Sequence, residues 1–466
     1  MRVSCGPADG ARWRGPPEGR REFRPNGTGV FWRKITERGG DIPPVAHGVR
    51  RRRLRCRKRA FTGMMDDIEV DRPQYQRQGD AEQLSASIRD GDIEYDVYFK
   101  TTDGPIGAGV EPFLAVALLP AMRLGRRLHV AGPVSPLLLI SLPHLQRRFT
   151  EPDPRLQMID VVAEAANPAP PPLGRRTGAF FSGGVDSFFT LLERHHEISD
   201  LVFVSGFDID QASRELHQVT LEMTQRVAQG TGKRLVHVET NLRHFGDRYV
   251  DWAEHLHGPA LAAVAHLLSP QIQRMLIPGE YLGGTRVMGS RLDLDPLWST
   301  ERVQIVRQGG DVTRLQKLGR IGRHPVVRRC LRVCWENRDG RYNCSTCSKC
   351  LRSMAGLRAH GLLDEVETFE LPLDLRALSR VKLPRQWPHL AEGMRETLSL
   401  VEQRGSDPHL ARALRYCLEE RYYRSPLYRL RTTSGSLSRR LRSGAGLIGR
   451  AAARALRACR RNSPLP

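Results

Sequence analysis

The feature that most constrains the fold of this chain is a glycine-rich turn, Ser-Gly-Gly-Val-Asp-Ser, at residues 182–187 (the 182–187 loop). The apolar residues 177–181 before it suit a buried strand, and residues 188–194 after it suit a helix. Paired glycines let the backbone approach a ligand closely, and the first N–H groups of a helix have no partner within that helix. A strand, turn and helix in this order therefore predict an anion site, with polyphosphate as the expected ligand class.

The residues of the loop exclude two common nucleotide sites. No lysine follows as in G-x-x-x-x-G-K-[ST], and the spacing G-x-G-x-x-G is absent. The loop instead resembles the signature of the PP-loop ATP pyrophosphatase superfamily, whose members split ATP between its α and β phosphates. This resemblance implies ATP and Mg²⁺ as cofactors, with Asp186 supporting the magnesium, and a pyrophosphate lined by Ser182, Gly183, Gly184, Val185, Asp186 and Ser187. An ordinary Ser/Gly/Asp turn is the alternative.

The net charge of +22 is concentrated at the two ends of the 466-residue chain. Residues 1–64 carry 17 Lys or Arg and 5 Asp or Glu, while residues 421–466 carry 12 Arg and no acid. We interpret 1–64 as a disordered basic tail or a misassigned start, and 434–466 as a second basic tail. The nearly neutral body argues against nucleic acid as its partner. Only the tails are basic enough to bind a nucleic acid or an anionic membrane surface.

The chain between the tails predicts an α/β protein of several parts. No apolar run is long enough to span a bilayer, so we expect a cytoplasmic protein. A small α/β domain at 65–165, which a partner protein could contact, precedes a proline-rich linker at 166–176, and a helical region occupies 363–433. Within the small domain we expect a loop or helix at 66–92, a strand at 94–100, a helix at 113–122, a strand at 127–131 and a helix at 136–149 that breaks at Pro143.

Residues 177–362 form the predicted nucleotide domain. Short apolar strands alternate there with helical patterns, which predicts a parallel sheet with helices on both faces; the resemblance implies an adenine nucleotide alpha hydrolase-like fold. Ligands of such sheets bind at the carboxyl ends of strands. The resemblance places the adenosine at Ser205, Gly206 and Phe207, and a packed loop aromatic is the alternative for Phe207. The expected strands are 178–181, 200–205, 234–239 and 275–278, and the expected helices are 187–196, 211–229 and 258–268.

Five of the nine cysteines fall within residues 330–350 (the cysteine segment). Clustered thiols in a reducing compartment favour a metal over disulfides, and four thiolates can close a tetrahedral zinc site. The spacing C-x9-C-x2-C-x2-C resembles the zinc site of 7-cyano-7-deazaguanine synthases, which are PP-loop enzymes. That resemblance implies a Zn²⁺ ion held by Cys334, Cys344, Cys347 and Cys350, with Cys330 as a spare thiol. An iron–sulfur cluster is the rival interpretation.

Two further segments are candidates for catalysis and substrate binding. The family has a Thr-Lys pair ahead of a helix where this chain has Thr313 and Arg314, so Arg314 or Lys317 is expected to neutralise the departing pyrophosphate. A solvated helix face is the alternative for both cations. Residues 279–298 occupy the place where the family binds its acid, but its substrate residues are not recognisable there. Arg291 and Asp293 are the candidates for substrate contact. The alternative is that both residues have only a structural role in the loop.

The function predicted from these observations is that of an ATP-dependent ligase. It adenylates a carbonyl or carboxylate oxygen of a small-molecule acid, and ammonia or another amine then displaces AMP, with Asp186, Ser187, Arg314 and Lys317 as the catalytic residues. No glutaminase motif is evident, so the nitrogen donor is free or supplied by a partner. Two alternatives stay open, a non-catalytic nucleotide-binding component of a regulatory or defence complex, and a PP-loop enzyme that modifies tRNA.

Overall fold

The structure, a computed structural model, describes residues 67–167, 176–209, 213–283, 288–384 and 387–419. The predictions for the basic tails at 1–64 and 434–466, and for most of the proline-rich segment 166–176, lie outside these ranges. Across the described ranges, no helix has both the length and the apolar character needed to cross a membrane.

The strands of the described residues form one eleven-stranded sheet in the order β11-β10-β7-β8-β9-β4-β3-β1-β5-β6, with β2 paired to β3. The sheet thus includes strands from both 65–165 and 177–362, because β4 pairs antiparallel with β9. The strands are β1 Ile68–Val70, β2 Gln74–Gln78, β3 Ala81–Asp90, β4 Ile93–Thr101, β5 Leu128–Val134, β6 Val161–Ala165, β7 Thr177–Phe180, β8 Asp200–Ser205, β9 Arg234–Thr240, β10 Arg274–Pro278 and β11 Gln304–Gln308.

The half of the sheet that carries the 182–187 loop is parallel, as the sequence predicts. All neighbours in the row β11-β10-β7-β8-β9 pair in parallel. Chain order reverses between β7 and β10, because β8 and β9 continue to one side of β7 and β10 and β11 to the other. In open α/β sheets, ligands bind beyond the carboxyl ends of the strands at such a reversal point. The 182–187 loop follows β7 at this point.

The other half of the sheet corrects the prediction for residues 66–92. This segment forms three strands where a loop or helix was expected, and β3 pairs antiparallel along its length with β4. In β3, Leu84, Ala86 and Ile88 point into the core while polar residues alternate with them. Alternation of apolar and polar residues is the pattern typical of a half-buried strand. Here small and polar side chains make that alternation difficult to recognise in the sequence.

Helices cover both faces of the parallel half. Neighbouring residues of one strand belong to different cores, as Ala179 and Phe180 do, because side chains alternate between the two faces. The helices are α1 Glu111–Leu124, α2 Pro136–Thr150, α3 Val185–Glu193, α4 Arg214–Thr231, α5 Leu242–Gly246, α6 His257–Leu267, α7 Arg314–Ile321, α8 Pro325–Cys330, α9 Ser348–Ala359, α10 Leu375–Leu378, α11 Pro388–Arg404 and α12 Pro408–Leu418.

Helix α2 corrects a second prediction, since it runs through Pro143 without a break. A proline inside a helix removes one N–H donor, which weakens the helix without necessarily ending it. Leu138, Leu142 and Leu145 bury the inward face of α2 on both sides of the proline. Tertiary packing along that face holds the helix together.

The described part of the region 363–433 contains the helices Leu375–Leu378, Pro388–Arg404 and Pro408–Leu418. Helices α10, α11 and α12 share a hydrophobic core with α9, which includes Met354, Met394 and Leu414. Because α9 begins at Ser348, within the cysteine segment, this helical unit is joined directly to residues 177–362.

Candidate functional site

The 182–187 loop has the geometry of an anion site. Gly184 is the N-cap of α3 and no side chain caps this end of the helix, so the first N–H groups of α3 have no partner within it. Gly183 has a φ of +73°, which favours glycine. Ser182 is exposed, whereas Ser187 is buried and donates its hydroxyl to the Gly184 carbonyl at 3.0 Å. The uncapped amides and the positive end of the helix dipole favour a bound anion.

Two cations of α7 converge on Asp186. Lys317 donates from Nζ to Asp186 Oδ1 and to the Gly279 carbonyl, each at 2.5 Å, and its side chain is 1% exposed. Arg314 Nη1 lies 3.6 Å from Asp186 Oδ2. The alternative in which Lys317 lies on a solvated helix face is therefore wrong. Because Gly279 follows β10, Lys317 joins the start of α3 to the end of the neighbouring strand.

The end of β8, where the adenosine is expected, has its serine side chain hydrogen-bonded within the protein. Ser205 is buried, and its hydroxyl bonds the Nε2 atoms of His217 and of His237, the latter at 2.6 Å. Burial lowers the pKa of His237, which favours the neutral ring. The side chain of Ser205 is thus engaged within the protein, which leaves only backbone groups of this strand end for a ligand.

Phe207 is a packed loop aromatic. Its ring is 8% exposed and meets Trp252 edge-on, with 5.1 Å between the ring centroids. Arg243 donates to the Phe207 carbonyl at 2.6 Å, and its guanidinium lies 4.7 Å from the Trp252 ring centre. Gly206, with a φ of +95°, makes the turn between β8 and this aromatic cluster. Whether Gly206 and Phe207 contact an adenosine stays a prediction.

The four predicted metal ligands lie together. The Sγ atoms of Cys334, Cys344, Cys347 and Cys350 are buried and lie within 4.8 Å of one another. Two pairs are 4.0 and 3.9 Å apart, close to the ~3.8 Å expected between thiolates that bind one ion at about 2.3 Å in a tetrahedron. Cys330 lies outside this group, and burial raises the pKa of its thiol to about 11.

The cysteine segment also fastens the 182–187 loop. Arg332 donates its backbone N–H to the Gly183 carbonyl at 2.8 Å, and Tyr342 donates its hydroxyl to the Cys330 carbonyl at 2.8 Å. A Cβ on Gly183 would lie 3.4 Å from Arg332 Cβ and 3.6 Å from the Cys330 carbonyl oxygen. The cysteine segment and the 182–187 loop are therefore in direct contact.

Arg291 and Asp293 have structural partners in the described chain. Arg291 Nε lies 2.9 Å from Asp293 Oδ1, and its Nη2 donates to the Arg148 carbonyl in α2 at 3.1 Å. These contacts anchor the segment 288–298 to α2, which supports the loop role over substrate contact. A buried pair, Arg307 and Asp295 at 3.0 Å, holds the same segment against β11.

Several charged residues at the site carry no signal in the sequence. Glu280 follows β10, and although burial opposes its charge, Lys349, Arg314, His389 and Arg352 together lower its pKa to about 2. Burial lowers the pKa of Arg352 to about 10, with a contribution from Arg314. Glu280, Arg352 and His389 come from three segments far apart in the chain, so neither spacing nor periodicity could have grouped them.

Comparisons with known proteins add little to this geometry. No protein-family model and no curated protein matches the chain. Among solved structures, it is similar to the U34-tRNA thiolase NcsA from Methanococcus maripaludis with its 4Fe-4S cluster, at 9% identity, with 60% of this chain and 80% of that chain covered. The TM-score is 0.24, which is too low to support a conclusion about fold or activity.

Proposed function

We propose that this protein binds Mg²⁺-ATP at the 182–187 loop and releases pyrophosphate by adenylating a substrate oxygen. The observation that carries this proposal is the convergence of Lys317 and Arg314 on Asp186 at the uncapped start of α3, at the reversal point of the sheet. An uncapped helix end binds phosphate oxygens, and two cations beside it stabilise a leaving pyrophosphate.

The proposed reaction balances without a covalent enzyme intermediate. A carboxylate or carbonyl oxygen of the substrate attacks the α phosphorus of ATP, the bond from that phosphorus to the α–β bridging oxygen breaks, and pyrophosphate leaves with the bond electrons. Ammonia or an amine then attacks the adenylated carbon, the bond from that carbon to the AMP oxygen breaks, AMP leaves with the bond electrons, and the nitrogen loses a proton to water. The protein contributes position and charge, through Lys317 and Arg314 at the pyrophosphate and through the loop amides.

Asp186 suits a supporting role for magnesium. Its carboxylate is 21% exposed, and each oxygen already faces a cation of α7. Mg²⁺ is bound in proteins by one or two carboxylates together with substrate phosphates and water. A magnesium ion carried in with ATP would share this carboxylate with Lys317.

We further propose that the four cysteines hold a zinc ion. Sulfur separations of 3.9 and 4.0 Å suit one tetrahedral ion. A four-iron cluster is ligated through separate irons, so its cysteine sulfurs need a wider spacing. The ion would be structural, because four thiolates leave no open position for a substrate. Its effect on catalysis would pass through the Arg332 contact with the 182–187 loop.

The test is the exchange of labelled pyrophosphate into ATP in the presence of candidate small carboxylic acids and no amine. Acid-dependent exchange is expected from the purified protein, because adenylation is reversible before the amine enters. Asp186→Asn is expected to reduce it by about a hundredfold or more, while Arg320→Met, on the exposed side of α7, retains it. Binding of ATP with ADP as the sole product would contradict the proposal.

A further inference from the structure

A cavity of about 330 Å³ lies between α7, α9 and α11, beside the loop that follows β10. Small-molecule sites have volumes of roughly 300–1,000 Å³, so this cavity suits a small ligand and is too small for a macromolecule. The titratable residues that line it are Glu280, Arg314, Arg352, His389, Glu392 and Glu396. Helix α11, which contributes half of these, contains no motif in its sequence.

The cavity adjoins the proposed phosphate site. Arg314 lines the cavity and also lies 3.6 Å from Asp186. Glu280 lines it as well and directly follows Gly279, whose carbonyl accepts from Lys317. A ligand in the cavity would therefore lie next to the cations that face the ATP phosphates.

One cation of the cavity has unused hydrogen-bonding capacity. The Nε atom of Arg352 is buried and has no hydrogen-bond partner among the described residues. Arg314, by contrast, is committed to Asp186 and donates to the Ser353 hydroxyl at 3.2 Å. A buried guanidinium donor is costly to leave unpaired, and a carboxylate is the partner that matches its fork geometry.

The remaining walls are acidic and apolar. Glu280 and Glu392 are carboxylates that can accept hydrogen bonds from a ligand, and Glu396 accepts a hydrogen bond from the Thr313 hydroxyl at 2.7 Å. Leu315, Leu318, Leu390 and Met394 supply an apolar surface. The lining thus matches a compact molecule with one anionic group, an apolar body and a separate N–H donor.

We propose that this cavity is the acceptor site, and that it binds a small carboxylic acid whose carboxylate pairs with Arg352 and whose N–H donor faces Glu280 or Glu392. The assignment rests on the proposed function for the fate of that acid, since the carboxylate oxygen is the atom that would attack ATP. That the acid binds in this cavity is a separate claim. If it does, residues of α11 determine substrate specificity.

The test uses 2-, 3- and 4-aminobenzoate as probes, because they carry a carboxylate and an N–H donor at three spacings on one apolar ring. Their methyl esters remove the charge, and benzoate removes the donor. Binding is measured by ligand-observed NMR on the full chain, and Mg²⁺-ATP binding is measured on the same samples. At least one aminobenzoate is expected to bind with a dissociation constant in the millimolar range or below, about tenfold tighter than its ester.

Two variants test the position of the site. Arg352→Met is expected to weaken the bound acid about tenfold, whereas Arg412→Met, at an exposed position of α12, leaves it unchanged. Gly393→Leu tests the cavity without removing any contact, because a Cβ on this helical glycine meets no atom within 4 Å and Gly393 lines the cavity. Leucine also favours a helix more than glycine does, so this variant should fold. It is expected to abolish acid binding and to retain Mg²⁺-ATP.

The outcomes separate this inference from the proposed function. Absence of aminobenzoate binding, or binding that survives both Arg352→Met and Gly393→Leu, overturns the cavity assignment. Acid-dependent pyrophosphate exchange that Gly393→Leu leaves intact also overturns it, while the proposed function stands. Acid binding that both variants remove, with ATP converted only to ADP, supports the acid site and contradicts the adenylation.

Discussion

At the scale of single residues, Gly183 combines a left-handed backbone conformation with a place in the proposed phosphate site. Its left-handed φ of +73° would cost an alanine roughly 1–2 kcal/mol. Gly232, at the end of α4, has a similar φ of +65° and no atom within 4 Å of its Cβ position. The two glycines therefore carry the same backbone cost but differ in their surroundings.

We expect Gly183→Ala and Gly232→Ala to lower the free energy of unfolding by similar amounts, and only Gly183→Ala to weaken ATP binding, by about tenfold or more. The left-handed φ that an alanine strains at residue 183 belongs to the 182–187 loop itself, whereas Gly232 lies at the end of α4. Urea unfolding and calorimetric titration with Mg²⁺-ATP measure the two effects. Equal ATP affinity in both variants would contradict the phosphate site.

Lys317 gives the second residue-scale prediction. Lys317→Met is expected to lower pyrophosphate release by about a hundredfold, since a buried ammonium faces the leaving group. It should also lower the free energy of unfolding by about 2 kcal/mol. This loss is smaller than for a fully buried ion pair, because Asp186 is partly exposed and still has Arg314 as a partner. Kinetics with saturating ATP and urea unfolding measure the two losses.

Arg320→Met is the matched control for Lys317→Met, because Arg320 lies on the same helix with its side chain 55% exposed. Its loss should leave both pyrophosphate release and stability close to those of the unchanged protein. A Lys317→Met protein with normal turnover would assign this lysine a purely structural role.

At the scale of elements, the cysteine segment contacts the 182–187 loop through the hydrogen bond from Arg332 to Gly183. Cys344→Ser removes one of the four ligands and is expected to lower the zinc content from one ion per chain to near zero. The thermal midpoint should fall by about 5 °C, because metal-binding energy stabilises the fold. ATP affinity should fall with it, through the Arg332 contact with Gly183. Elemental analysis, thermal unfolding and titration measure these changes.

Cys330→Ala is the control for the metal site, since Cys330 is buried in the same core but lies outside the group of four. It should retain zinc. Loss of zinc in this variant, or iron with a visible absorption band in the unchanged protein, would contradict the zinc assignment.

Element prediction succeeded where the sequence pattern and the local structure agree. The strand–turn–helix around residues 182–187 and the cysteine spacing are local, so they are readable without tertiary information. The strands within 66–92 were missed because β2 is exposed along its length and β3 mixes small and polar residues with its apolar ones. Strand β1 also pairs in parallel with β5, which lies far along the chain and is a partner that no local pattern records.

At the scale of the whole molecule, buried and partly buried histidines make stability sensitive to acid. Burial is the main cause that lowers the pKa of seven of them, which are His195, His237, His257, His266, His324, His360 and His389. In the unfolded chain each takes up a proton near pH 6.5. Unfolding therefore absorbs protons below that pH, and acidification favours the unfolded state.

We expect the urea midpoint to be lower at about pH 5.5 than at about pH 7.5, because the stability present above the unfolded pKa of about 6.5 is lost as the pH falls. Each histidine protonated only in the unfolded chain contributes about 1.4 kcal/mol per pH unit. Metal content measured at both pH values separates this effect from loss of the ion. A midpoint that rises on acidification would contradict the burial of these rings as neutral groups.

The assembly of the site is the part that the sequence could not supply. Asp186 and Lys317 were identified separately, but their contact depends on the packing of α3 against α7. The cavity depends on α11, which joins the site through a core shared with α9 and α12. Such juxtapositions follow from tertiary packing, whereas motif and periodicity describe only neighbours in the chain.

The most direct test of the central claim is a crystal structure with Mg²⁺ and an ATP analogue whose α–β bridging oxygen is replaced by a methylene group. We expect the β and γ phosphates to accept hydrogen bonds from the backbone amides of the 182–187 loop, with Lys317 and Arg314 beside them. We also expect the α phosphate to face the cavity lined by Arg352. A triphosphate bound elsewhere, or a 182–187 loop without phosphate contacts, would contradict the proposed phosphate site.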